Sequence, residues 1–154
     1  MGHPAPRAEL LFDHDIGAEP AGDLEALFRQ LGFVTKSRNR LPHRAADEIT
    51  WLMLVALPLH AFLSGIGSAA VKDVYAKAKR LVPAHRKAED PQDNRIPLVL
   101  QDTNTGLKII FDGDLPAEAI RQLVDLDLDA YPVGPLHYDQ HRKKWRSELD
   151  EARA

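Results

Sequence analysis

The feature that most constrains this chain is an uncharged run over residues 49–71, ITWLMLVALPLHAFLSGIGSAAV. It holds no Asp, Glu, Lys or Arg in 23 positions, and His60 is its only ionisable side chain. An apolar run of about eighteen or more residues is the pattern of a membrane span. Three features favour burial by protein instead. Pro58 sits mid-run, where it removes a backbone donor and crowds the preceding helical turn. Gly65, Gly67 and Ser68 suit a turn or a close helix crossing. Val71, Val74, Tyr75, Ala78, Leu81 and Val82 continue a helical stripe past the uncharged region, with Lys72, Asp73, Lys77, Lys79 and Arg80 on the other face. The pattern predicts two helical pieces, 46–63 and 68–82, meeting at Gly65–Gly67 or forming one bent helix. The first is buried nearly all round and the second is amphipathic. Insertion of 49–71 into a membrane is the alternative.

The rest of the chain is ordinary amphipathic material. At 154 residues, with 44% apolar and 28% charged side chains, it is long enough for one domain with a sizeable core. The first eight residues are Pro-rich and lack a secretory apolar segment, so a flexible N-terminus is expected over 1–8. There is no cysteine, which excludes disulfides, thiolate metal ligands and thiol nucleophiles and suits a cytoplasmic setting.

In chain order, 9–14 is a short apolar strand broken by Ile16–Gly17 and Glu19–Pro20. Residues 21–31 form a helix, since Leu24, Leu27, Phe28 and Leu31 recur at i, i+3, i+4 and i+7, and Gly32 stands where a left-handed residue ends it. Residues 33–40 start as a strand and turn basic, as an edge strand does, until Leu41–Pro42. Beyond the central stretch, Pro83 stops the helix and 83–95 is a polar exposed loop. Strands over 96–101 and 107–111 flank DTNTG, a short hairpin loop. Pro116 opens a helix over 117–126 with Ile120, Leu123 and Val124 on one face. YPVGP (131–135) closes the unit, and 139–152 is expected to be a tail helix with a narrow stripe of His141, Trp145 and Leu149. The expected fold is α+β, in β-α-β-α-β-β-α order. A four-strand sheet packs on the central helices, the domain spans 9–134, and 135–154 is a separable tail. Leu27, Phe28, Leu54, Val74, Ile109, Phe111, Ile120 and Leu123 are expected in one cluster.

Three segments carry a resemblance. The opening LLFDHD with LEALFRQLG, the helix FLSGIGSAAVKDVYAKAKRLV ending in basic residues, and TGLKIIFDGDLPAEAIRQLV together resemble the effector-associated constant component family of bacterial conflict systems, over about residues 9–128. The resemblance implies an adaptor or signalling component beside separate effector proteins rather than an enzyme. It supplies no functional residues.

The residue patterns that could carry chemistry are incomplete. Asp125, Asp127 and Asp129 alternate like the start of a calcium loop, but Ala130 replaces the required Gly and Leu136 the bidentate Glu. His137 and His141 are four apart, as metal-binding histidines on a helix are, yet no Glu follows His137. Asp13, His14 and Asp15 fit a strand-end turn. SGIGS, with Ser64 and Ser68, lacks the spacing of a nucleophile elbow or a phosphate loop. His60 is expected at the core or its boundary. No catalytic, cofactor-binding or metal-binding residue is assigned, no small-molecule substrate is implied, and a non-enzyme is expected, with an uncharacterised enzyme as a further alternative.

Charge is the more informative pattern. From Lys72 to Lys87 six Lys or Arg stand against one Asp, net +5; from Asp112 to Asp129 six acids stand against Arg121, net −5. Arg142, Lys143, Lys144 and Arg146 surround Trp145. One-signed faces of this kind dock acidic partners or second copies. Lys72, Lys77, Lys79, Arg80, Arg142, Lys143, Trp145 and Arg146 are therefore the candidate protein-partner residues. Nucleic acid ranks lower, because the net charge is −3 and no recognition motif is present.

Overall fold

The computed structural model describes residues 5–13, 16–39, 51–80 and 96–153. Expectations for 83–95, for the Leu41–Pro42 stop and for His14 and Asp15 lie outside them. Strand β1 (Arg7–Phe12) leads through helix α1 (Ala18–Gln30) to β2 (Val34–Asn39). Strand β3 (Trp51–Leu57) follows, then α2 (Leu59–Ile66), α3 (Ser68–Lys79), β4 (Ile96–Asp102) and β5 (Lys108–Phe111). Helix α4 (Ala117–Val124), a 3-10 turn (Leu128–Ala130), the hairpin β6 (His137–Asp139) and β7 (Lys144–Arg146), and a short α5 (Glu148–Arg153) complete the chain.

The fold is α+β, as expected, but the sheet has five strands in the order β2-β1-β3-β4-β5. The pairs β1–β2 and β3–β4 are parallel, and β1–β3 and β4–β5 antiparallel. The extra strand comes from the uncharged run, whose first part is not helical. WLMLVAL is the central strand, flanked by β1 and β4, and five of its seven residues are buried. A strand covered on both faces shows a continuous apolar run with no alternation, which periodicity cannot separate from a buried helix. Pro58 is the junction. It lies in extended backbone as the N-terminal cap of α2, so its missing N–H disturbs neither the ladder nor the helix. Gly67, at φ +83°, separates α2 from α3 where the sequence placed a break. Among the described residues no helix is long and apolar enough to cross a membrane.

Helix α1 ends as its sequence predicts. Gly32 takes φ +99°, its N–H donates to the Arg29 carbonyl (3.0 Å), and the Phe33 N–H donates to that of Phe28 (3.0 Å), the paired bonds of a Schellman end. The core lies between the sheet and the helices. Ala8, Leu10 and Phe12, Met53 and Val55, Leu98 and Leu100, and Ile109 and Phe111 meet Leu24, Leu27 and Phe28 of α1, Phe62 of α2, Val74 of α3 and Ile120 and Leu123 of α4. Leu54 departs from the expected cluster. It is 5% exposed but stands in the cross-strand row Leu11–Leu54–Val99–Ile110, opposite in parity to Met53 and Val55.

The tail is not a helix over 139–152. It is the β6–β7 hairpin, with Tyr138 opposite Trp145, followed by one short helix. The two aromatics are in T-shaped contact at 5.5 Å, and Leu136, Tyr138 and Trp145 all join the core. Ser147 is buried and caps α5: its hydroxyl accepts the Asp150 N–H (3.3 Å) and donates to the Asp150 carboxylate (2.6 Å), which also accepts the Val133 and Gly134 N–H groups (3.0 and 2.9 Å). Leu136 closes the outer edge of β5, donating to the Lys108 carbonyl and accepting from the Ile110 N–H, both at 2.8 Å.

Candidate interaction surface

Helix α3 divides as its sequence pattern requires. Ala70, Val71, Val74, Tyr75 and Ala78 are buried, while Lys72, Lys79 and Arg80 are exposed and Lys77 partly so. Lys77 and Lys79 sit in the last turn and Arg80 at the C-terminal cap, where cations complement the helix dipole. The Lys79 Nζ lies 4.6 Å from the centroid of the Tyr75 ring, a cation–π contact. Among the described residues the ion-paired Lys and Arg side chains are Arg38 with Glu9 (3.8 Å), Arg121 with Glu118 (2.6 Å), and Arg146 with Asp139 (2.9 Å) and Glu151 (2.7 Å). Among the described residues Lys72, Lys77, Lys79 and Arg80 have no such ion pair.

The tail cations separate into two kinds. Arg142 and Lys143 lie exposed on the turn between β6 and β7, Lys143 at φ +56°. The Lys143 carbonyl accepts from the Gln122 side chain (3.1 Å), which ties this turn to α4. α3 packs on α4 and α4 on β7, so the ridge of α3 and the cationic turn flank one helix. Trp145 and Arg146 depart from the exposed role given them by their basic neighbours. Trp145 is 3% exposed and its indole N–H donates to the Ala119 carbonyl at 2.7 Å. Arg146 forks onto Glu151 and bonds Asp139. The Arg142 N–H and the Arg146 guanidinium hold the Asp139 carboxyl down to about 2.

Two groups with raised pKa, Tyr75 and Asp112, meet where α3 abuts the loop after β5. The Tyr75 hydroxyl donates to the Asp112 carbonyl and accepts from the Leu115 N–H (3.0 Å), so both of its hydrogen-bonding functions are used. Burial pushes its pKa up against the Leu115 bond, and Asp114 and Asp112 add to the rise. Burial also raises the Asp112 carboxyl, with Asp114 reinforcing and His137 opposing. Sequence reasoning missed this junction, although D-G-D-L-P already placed two acids beside a helix start. It also missed Asp102, a buried carboxylate. Burial raises its pKa, but bonds from the Leu59 N–H (3.0 Å) and the Thr105 hydroxyl (2.8 Å) and N–H (3.0 Å) outweigh that and lower it. An Asp two residues before Asn in a short hairpin was the available signal.

The remaining sequence candidates have structural roles. Asp127 accepts the Asp129 N–H (3.1 Å) and caps the 3-10 turn. His60 is exposed rather than at the core boundary, with Nε2 3.4 Å from Asp129. His137 lies on β6 and His141 in the hairpin turn, so they share no helix face. The Ser64 hydroxyl donates back to the His60 carbonyl (2.5 Å). Asp13 is buried, with its N–H on the Leu52 carbonyl (2.8 Å). Among the described residues no group of three or more His, Asp or Glu side chains could hold a metal ion. No protein-family model, curated protein or solved structure matches this chain.

Proposed function

We propose that the protein is a non-catalytic adaptor whose docking surface is the cationic ridge Lys72, Lys77, Lys79 and Arg80 of α3, extended by Arg142 and Lys143. One observation carries the reading. Lys72, Lys77, Lys79 and Arg80 are gathered on one helix, largely exposed, and none of them makes an ion pair among the described residues. An uncompensated ridge on a rigid helix attracts an acidic protein surface and speeds its encounter. The segments that resemble the effector-associated constant component family make a separate effector protein, in the cytoplasm, the proposed partner.

The test is cross-linking in the organism of origin, comparing the native chain with Lys72→Glu/Lys77→Glu/Arg80→Glu. The expected result is an acidic protein cross-linked near residues 72–80 and 142–143 and lost in the variant, with the variant's circular dichroism unchanged. The same cross-links in the charge-reversed chain would refute the proposal.

A further inference from the structure

We infer that the outer edge of β2 accepts an extended acidic segment of another protein as an added strand. The inference is independent of the α3 ridge and stands if that ridge proves idle. Of the two edges of the sheet, β5's is closed by Leu136, and β2 is the outermost strand at the other. Its six residues, VTKSRN, pair in parallel with β1 along their whole length. The Val34 N–H donates inward to the Pro6 carbonyl (2.9 Å). Backbone groups alternate direction along a strand, so Thr35, Ser37 and Asn39 present N–H and C=O to the outside. Among the described residues no strand takes them up. Such a row is a template for strand addition.

The side chains decide what fits. Val34, Lys36 and Arg38 share the face opposite to that of Ser37, which is held by Glu25 of α1 (2.5 Å). Val34 is 53% exposed. Among the described residues of this face Arg7, Lys36 and Arg38 stand against a single acid, Glu9, which lies 3.8 Å from Arg38. A second copy pairing edge to edge would bring Lys36 and Arg38 against their own kind, and like charges directly opposite are unfavourable. A strand with Asp or Glu at alternate positions meets both cations on one face and leaves Thr35 and Ser37 on the other. The charges that bar self-pairing therefore select an acidic strand.

The experiment uses the full chain, isotope-labelled, and a capped synthetic peptide of sequence Thr-Glu-Val-Glu-Val-Glu-Thr. Backbone amide spectra and hydrogen exchange are followed on titration. The expected result is new protection at the amides of Thr35, Ser37 and Asn39, with affinity weakened about tenfold or more in Lys36→Glu/Arg38→Glu. Thr35→Pro, which removes one outward donor from an edge strand that tolerates proline, should weaken binding without lowering the melting temperature. A peptide with Lys in place of Glu should not bind. Absence of protection in β2, equal binding of the Lys peptide, concentration-dependent dimerisation through β2, or equally tight binding of a single-stranded oligonucleotide that is insensitive to Thr35→Pro would each overturn the inference.

Discussion

Replacing Trp145 by Ala tests the integration of the tail. The indole is 3% exposed, donates to the Ala119 carbonyl of α4, and contacts Phe111 at 5.9 Å and Tyr138 at 5.5 Å. Truncating a buried aromatic of this size costs about 3–5 kcal/mol. Within that, leaving the Ala119 carbonyl without its donor costs about 1–3 kcal/mol, and each ring pair adds about 0.5–1.5 kcal/mol beyond the area it buries. Trp145→Phe keeps most of the ring and removes the donor, so it should lose about 1–3 kcal/mol. Urea unfolding followed by far-ultraviolet circular dichroism measures both, because the substitution removes one of only two tryptophans. The midpoint should fall with an unchanged slope. For a chain of this length the melting temperature of the Ala variant should drop by about 10 °C. A loss below ~1 kcal/mol for Trp145→Ala would refute the reasoning and restore a tail that lies outside the core. Ending the chain after Gly134 removes Leu136, Tyr138 and Trp145 together with Asp150, and should leave it unable to fold cooperatively.

Asp102→Ala strands the buried Leu59 N–H and releases the hairpin, and should cost about 2–3 kcal/mol by chemical denaturation. Asp112→Asn should stabilise the protein at pH 7. The folded pKa of Asp112 is raised, so the stability it contributes is present below its unfolded value and is lost as pH rises through the folded one; melting curves should show the Asn advantage vanish below about pH 4. Asp139 runs the opposite way. Its folded value of about 2 lies below the ordinary 3.8, so its contribution is present above 3.8 and disappears as pH falls toward 2. Asp139→Asn should be less stable than the native chain at pH 7 and lose that deficit by pH 2, whereas a deficit independent of pH would show that the carboxylate charge is not what matters.

Local chemistry alone determined α1, its glycine end, the basic edge character of β2, the DTNTG hairpin, α3 and the helix after Pro116. Each depends on contacts within a few residues, and each was legible as a period or a turn signal. The charges of α3 were legible for the same reason, since a helix of known phase states which side chains face outward. Residues 51–57 were not. A strand with partners on both sides and cover on both faces loses the alternation that marks a strand, and only its pairing with β1 and β4 decides the outcome. The tail turned on a choice of period. His141, Trp145 and Leu149 fit a helical repeat, yet Tyr138 and Trp145, each flanked by polar residues, fit alternate strand positions, and the space between Phe111 and α4 selected the strand. A basic run around a tryptophan is the same string whether the ring points to solvent or to the core. Tertiary structure alone decided that Trp145 fills the core and Arg146 is held by Asp139 and Glu151, because burial belongs to the whole fold and not to neighbours in sequence.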